Sequence, residues 1–391
     1  MKLVVVGLGQ AGGRVADEFG RLNRKARAQR GIEIITGCFA VNTDAADLSG
    51  LTYIKPDYQH RILIGGRKAG GHGVGKINEL GAELAKEDSD KIIDAIRTAR
   101  RFFETDAFMV VASTAGGTGS GAISIITQVI KERYIDKPVY ALAILPFGHE
   151  EDTEERTIYN TATCLKSLGS VADAIFLIDN QRYVRKDASL KNNLSKINQM
   201  IVDPFYNLLC AGEEKKPKNI GAKTLDAGDI IQTLVGWTVI GHGKAQLPML
   251  RLPFGKSRHF RDKSAETHLG IQAMDEAISE LSIRCNPSDS GRALYLLSAP
   301  SKEMNMDLVK ELGDYLKDMA GEAVIRNGDY PREAGLVGVT VILSELSSVE
   351  KVKAYYGRAT TYIQSVKVRQ VEVEGKLKEI EVASKDLPSL L

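Results

Sequence analysis

Cysteine is scarce in this sequence: four residues in 391, at Cys38, Cys164, Cys210 and Cys285. None sits in a CxxC spacing, so neither a disulfide framework nor a thiolate metal site is predicted. The six histidines are scattered and no HExxH occurs, which leaves no metal-ligand pattern. Charge of one sign is missing too. Lysine and arginine number 52 against 50 acids, so bulk charge gives no reason to expect nucleic acid as a partner. No apolar run approaches the ~20 residues of a bilayer span; Tyr140 to Phe147 is among the longest. The start, MKLVVVGLGQ, has no signal-peptide apolar stretch or cleavage site. These absences predict a cytoplasmic chain. Its composition, 43% hydrophobic and 26% charged, suits a packed core, and its length suggests two domains.

What is present is an alternation of short β-rich runs with helical patterns. Strands are predicted at 2–6, 32–41, 61–64, 107–112, 139–145 and 174–178, and helices near 12–26, 76–101, 119–134 and 153–168. Near-continuous apolar strands separated by helices argue for an α/β, Rossmann-like parallel sheet covered on both faces. A long apolar-periodic helix spans 193–211, followed by a turn-rich loop to 224. A second helical stretch begins at Asp226 and reads on through IIQTLVGWTVI. Further on, helices at 265–282, 306–320 and 349–359 and strands at 293–298, 322–326 and 338–343 predict a smaller α+β domain. The expected organisation is 1–192, a central helix and loop at 193–224, 225–365, and a tail at 366–391. In that tail VKVRQVEVEGKLKEIEV alternates at period two, which reads as a strand pair turning at Glu374-Gly375 or as a loose end. Residues 251–263 form a basic connector, read as a solvated loop with a filament or lipid contact as the alternative.

Three glycine-rich loops follow strands. Gly7-Leu8-Gly9-Gln10-Ala11-Gly12 matches GxGxxG, a weak signal alone and equally a tight turn. Gly70-Gly71-His72-Gly73-Val74-Gly75-Lys76-Ile77 fits GxxxxGK, but Ile77 stands where a P-loop needs the hydroxyl that ligates Mg²⁺. The third is Ser113-Thr114-Ala115-Gly116-Gly117-Thr118-Gly119-Ser120-Gly121. Glycine inside a helix costs roughly 1 kcal/mol relative to alanine. Three such loops on the carboxyl edge of one sheet predict close backbone contact with a polyphosphate.

Acids offer two further sites. Ala40-Val41-Asn42-Thr43-Asp44 ends the second strand, so Asp44 is either a ribose-binding acid or a helix cap. Asp226-Ala227-Gly228-Asp229 opens a helix. Capping accounts for that spacing; the functional reading is a pair of carboxylates able to polarise water.

Together these residues resemble the tubulin/FtsZ superfamily of filament-forming GTPases. Residues 116–121 match its GGGTGSG signature apart from Ala115 at the first glycine. GQAGG resembles the first loop of tubulin and AVNTD that of FtsZ. Within the superfamily the likeness is to CetZ, the archaeal tubulin-like branch, through LIGG…GHGVG…NELGAE, INQMIV and DAGDIIQTL. It spans about the first 240 residues and afterwards rests on Gly328-Asp329-Tyr330-Pro331.

The resemblance implies a tubulin/FtsZ fold with GTP or GDP over the sheet edge. Gly9, Gln10 and Ala11 would approach the β-phosphate side, with Gly12 and Arg14 also among the nucleotide-binding residues. Asn42, Asp44, Gly70, Gly71 and Gly73 would shape the γ-phosphate side. Ala115, Gly116, Gly117, Thr118, Gly119, Ser120 and Gly121 would wrap the phosphates, and Asn198 would bond guanine. An acid of the 150–156 loop (Glu151, Asp152 or Glu155, with Asp152 preferred) would reach ribose, with Arg156 nearby. Asp226 and Asp229 would act on the nucleotide of a neighbouring subunit, so a head-to-tail filament completes the site. Mg²⁺ would neutralise phosphate charge. Thr224 stands where FtsZ carries Asn. Cell-shape control is the implied role, with a division ring as the alternative, and the tail is a possible contact for a membrane or regulator. An NAD-binding Rossmann enzyme built on GLGQAGG and a nucleotide-binding regulator that never assembles are the competing readings.

Overall fold

In the computed structural model, residues 1–184, 190–247, 260–332, 335–385 and 387–388 are described. The strands are β1 (Leu3–Leu8), β2 (Ile35–Asn42), β3 (Arg61–Leu63), β4 (Ala107–Ser113), β5 (Val139–Leu145), β6 (Ala174–Asp179), β7 (Gly236–Gln246), β8 (Ser290–Ala299), β9 (Val324–Pro331) and β10 (Leu336–Leu346). The first helices are α1 (Gly9–Arg30), α2 (Ala45–Ser49), α3 (Gly66–Ala69), α4 (Asn78–Glu87), α5 (Ser89–Arg97), α6 (Thr118–Arg133), α7 (Gly148–Thr153) and α8 (Glu155–Val171). They are followed by α9 (Leu190–Ala211), α10 (Ala227–Thr233), α11 (Phe260–Ser279), α12 (Met306–Ala320) and α13 (Glu350–Ser384).

One sheet runs through the molecule in the order β3-β2-β1-β4-β5-β6-β7-β10-β8-β9. From β3 to β7 all neighbours are parallel; β10 is antiparallel to both β7 and β8. Two apolar cores flank it. Alternate β1 residues serve opposite faces: Val4, Val6 and Leu8 join one core, Leu3 and Val5 the other. That is the period-two geometry of a strand buried on both sides, and it explains why β1 reads as an unbroken apolar run. Helices α6 and α8 cover the first face with Ile123, Ile126, Ile158 and Leu165; α1 and α9 cover the second with Phe19, Leu22, Ile201 and Phe205.

Three expectations fail. The 76–101 helix is two helices, because Lys76 is left-handed (φ +62°) and the chain restarts after Asp88. IIQTLVGWTVI is not one helix: α10 ends at Thr233 and β7 begins at Gly236, whose φ of +59° turns the chain. The tail is neither strands nor loose, since α13 is a helix of 35 residues. Its packed face carries Val352, Tyr355 and Ala359. Glu372–Lys376 and Glu374–Lys378 have the i,i+4 order that supports an exposed helix; period-two alternation concealed them. Residues 251–259 of the basic connector lie outside the described residues, and 260–263 begin α11.

Candidate functional site

The glycine loops meet at the carboxyl edge of β1, β2 and β4. Gly9 is left-handed (φ +69°), and a β-carbon there would lie 3.0 Å from the Gly119 nitrogen. The starts of α1 and α6 are therefore in contact. Neither helix has a side chain capping its N-terminus, and neither has an acid in its first turn. By contrast Asp44, Asp226 and Asn305 cap α2, α10 and α12. Uncapped first-turn amides and two converging positive helix ends form an anion site, each end worth about 0.3–1 kcal/mol for a negative charge, more when partly buried.

Hydrogen bonds knit the remaining loops to this edge. Thr43 Oγ1 and Thr118 Oγ1 are 2.7 Å apart. The Ala45 amide donates to Gly71 O at 3.1 Å and the Gly73 amide to Thr43 O at 3.2 Å, so the segments carrying Asn42 and Asp44 and carrying Gly70, Gly71 and Gly73 lie side by side. The Asp44 Oδ1 accepts from the amides of Ala46 (2.9 Å) and Asp47 (3.1 Å); its visible task is the cap. Asp47 escaped sequence reading. It accepts from Gln10 Nε2 at 2.6 Å and from Asn42 Nδ2 at 3.1 Å, tying the first two loops.

Part of the glycine signal belongs to packing. A β-carbon on Gly12 would sit 2.3 Å from Val111 O, and one on Gly121 only 2.1 Å from Asn78 O. These glycines let α1 close on β4 and α6 close on α4. Gly116 and Gly73 differ: a β-carbon there would meet no protein atom within 4 Å. Their missing side chains leave space open to a ligand.

Asn160 is the second residue that sequence reading missed. It is fully buried on α8. Its Nδ2 donates to Lys76 O (2.9 Å), Ala115 O (3.0 Å) and Gly116 O (3.3 Å), while Oδ1 accepts from Arg156 Nε at 3.2 Å. One amide thus holds two glycine loops in register and steadies the predicted Arg156. Arg156 also pairs with Glu79 and lies over the Tyr159 ring. An asparagine set among the inward positions Ile158, Thr161, Ala162 and Leu165 was the available signal.

Among the acids of the 150–155 segment, Asp152 alone keeps an exposed carboxylate with no hydrogen bond or ion pair among the described residues. Glu150 bonds the Phe147 amide at 2.9 Å. Glu151 accepts from Tyr355 Oη (2.6 Å) and Arg358 Nη1 (2.8 Å) on α13, and burial together with that carboxylate pushes the Tyr355 hydroxyl pKa up. Glu154 pairs with Lys76, and Glu155 with Arg369 at 4.0 Å. Arg14 is exposed on α1, one turn past the first loop, and Asn198 is half-buried in the first half of α9.

Asp226 and Asp229 lie at the other end of the sheet. The Met1 ammonium donates to Leu209 O at 3.0 Å, fixing the last turn of α9 beside the amino end of β1. A β-carbon on Gly212, just beyond, would be 3.2 Å from Asp226 Cα. The six residues of β1 put about 20 Å between that end and the glycine loops, so the acids cannot reach the cradle of their own chain. Asp226 is exposed and accepts the Asp229 amide at 2.9 Å; Asp229 faces Arg326 at 3.7 Å. Asp329 holds the preceding loop by accepting the amides of Ala222 (2.9 Å) and Lys223 (2.6 Å), which gives Gly328-Asp329-Tyr330-Pro331 its structural role.

A cavity of about 850 Å³ lies elsewhere, between α1 and the start of β2, and contains none of the predicted site residues. None of the described helices is long and apolar enough to cross a membrane.

Comparison with known proteins decides the family. Residues 2–186 match the tubulin/FtsZ family, GTPase domain, and residues 187–361 match the tubulin-like CetZ C-terminal domain. Tubulin-like protein CetZ1 of Haloferax volcanii is 32% identical over 369 residues, covering 90% of each chain. The chain belongs to the tubulin-like CetZ family. A CetZ protein of Pyrococcus furiosus is 26% identical, covering 97% of this chain and 95% of its own length. The solved GDP-bound monomer of Haloferax CetZ1 superposes with TM-score 0.78 at 30% identity, covering 93% of this chain and 99% of that one. The GTPγS-bound protofilament of Haloferax CetZ2 gives 0.80 at 28% identity, covering 94% and 100%. The first half of this CetZ-family chain is thus a tubulin/FtsZ GTPase domain, and the fold expected from the sequence is the fold observed.

Proposed function

We propose that this CetZ-family protein is a cytoskeletal GTPase that binds GTP at the carboxyl edge of its sheet, stacks head to tail, and hydrolyses the nucleotide at the interface between subunits. The observation that carries the reading is the split site. Two uncapped helix starts form an anion cradle at one end of the sheet, and the acidic pair sits at the other. In a head-to-tail contact, which propagates because it does not close, the acids of one subunit meet the cradle of the next.

In this mechanism the amides of Gly9, Gln10, Ala11 and residues 115–120 bind the phosphates, Gly121, whose amide donates to Gly117 O at 3.1 Å, seats α6, and Gly116 and Gly73 admit the phosphates' bulk. Asp152 and Arg156 address the ribose side and Asn198 the guanine. Asp226 and Asp229, arriving from the neighbour, orient the attacking water and accept its proton. Among the described residues no group of three or more His, Cys, Asp or Glu converges on a metal. Mg²⁺ at nucleotide sites takes most ligands from phosphate and water; Asp44, with Oδ1 committed to α2, would hold it through Oδ2. When bound, the ion neutralises phosphate charge. CetZ membership favours cell-shape control over division, and depletion that leaves shape intact but blocks division overturns that choice.

Asp226→Ala and Asp229→Ala retain GTP binding and lose about 10²–10⁴ in turnover. Normal hydrolysis by both variants, or full-speed hydrolysis by protein held monomeric, refutes the split site.

A further inference from the structure

The 850 Å³ cavity is built at the amino end of β2. Short β3 pairs only with Ala40, Val41 and Asn42, so no described strand covers Ile35–Cys38 on that side, and those four residues form its floor. The last turns of α1 make one wall and residues 98–104 the facing wall. Five cationic side chains line it, Arg24, Arg27, Lys55, Arg100 and Arg101, against two carboxylates, Glu33 and Glu104.

Those carboxylates are already committed. Glu33, with 13% of its side chain exposed, pairs with Arg27 and lies 3.3 Å from Arg101. Glu104 is 2.7 Å from Lys2 and 3.7 Å from Arg101. Glu33 thus orients two guanidinium groups from opposite walls while leaving donors of each unused. Arg24 is held over the Tyr53 ring, 5.1 Å from its centroid, without a carboxylate partner among the described residues. Lys55 and Arg100 have no ion pair or hydrogen bond among the described residues.

We propose that this cavity binds a small, multiply charged phosphate compound. The volume suits a small molecule rather than a macromolecular surface. The planar fork of arginine matches phosphate oxygens two at a time, and both walls present such forks. Tyr53 and Phe103 add aromatic faces for an attached ring. The site is independent of the GTP cradle, which lies past the other end of β2.

The test is calorimetric titration of inorganic tripolyphosphate into the full-length protein saturated with GDP, so that the cradle is filled. One saturable site is expected, weakened about tenfold or more by Arg24→Glu with Arg100→Glu. The double variant is to keep its thermal midpoint and GTP turnover. Hydrogen exchange on the unaltered protein is expected to slow at 35–38 and 98–104 with tripolyphosphate, which keeps the proposal testable if the double variant does not fold. It is overturned by the absence of saturable binding at millimolar tripolyphosphate, by equal affinity in the double variant, or by exchange protection confined to 113–122. Binding of an octaglutamate peptide where tripolyphosphate fails also overturns it and assigns the cavity to an acidic protein segment.

Discussion

Replacing Asn160 by alanine tests how the cradle is held. The substitution removes two well-placed hydrogen bonds, to Lys76 O at 2.9 Å and Ala115 O at 3.0 Å, with a longer third to Gly116 O. Each is worth about 0.5–1.5 kcal/mol net, and leaving the carbonyls buried beside a small void raises the total to about 2–4 kcal/mol. If roughly half of that sum is the work of keeping the two loops in their binding shape, GTP must restore it on binding. The competent fraction falls accordingly, and the apparent Kd for GTP rises about 5–30-fold. The assay is titration with a fluorescent GTP analogue below the assembly concentration, beside thermal denaturation without nucleotide. Asn160→Asp, which sets a carboxylate against the same carbonyls, weakens binding further. A folded Asn160→Ala protein that binds GTP within twofold of the unaltered chain refutes the reasoning.

Two glycines separate packing from ligand contact. Gly121→Ala drives a β-carbon into Asn78 O and lowers Tm by several degrees, whereas Gly116→Ala leaves Tm nearly unchanged and weakens GTP binding; equal effects on Tm contradict the assignment. His242, whose pKa burial lowers to about 4, remains neutral in the folded chain while the unfolded chain takes up a proton below about 6.5. Stability therefore rises with pH between about 4 and 6.5, by about 3 kcal/mol, and urea unfolding of His242→Gln across that window shows a flatter slope. Truncation after Gln370 removes a stretch whose described side chains, 372–385 and 387–388, are exposed, and leaves both Tm and GTP affinity unchanged, as a melting curve with and without GTP will report.

The nucleotide-binding half was readable because its strands are buried on both faces, so β1, β4 and β5 stand out as apolar runs between glycine and helix signals. β7 was hidden because Leu234-Val235-Gly236-Trp237 continues the apolar run of α10, and only the left-handed Gly236 ends it. The tail misled through Val371 to Glu374, where alternation imitates a strand. Within the site, spacing located the loops and the acidic pair but not what fastens them. Asn160 and Asp47 act through contacts 45 and 37 positions away in sequence, which no local pattern encodes. Glycine counting also credited Gly12 and Gly121 to phosphate, although helix packing already requires them.

The latch on Glu151 has a consequence for synthesis. The segment carrying Asp152 is fastened by Tyr355, 204 positions later, with Arg358 and Lys351 beside it. A chain still emerging from the ribosome holds every glycine loop long before it acquires this clasp. Under the proposed ribose role of Asp152, that side of the cradle settles only when α13 folds back, and nucleotide capture is expected to follow once translation is nearly finished.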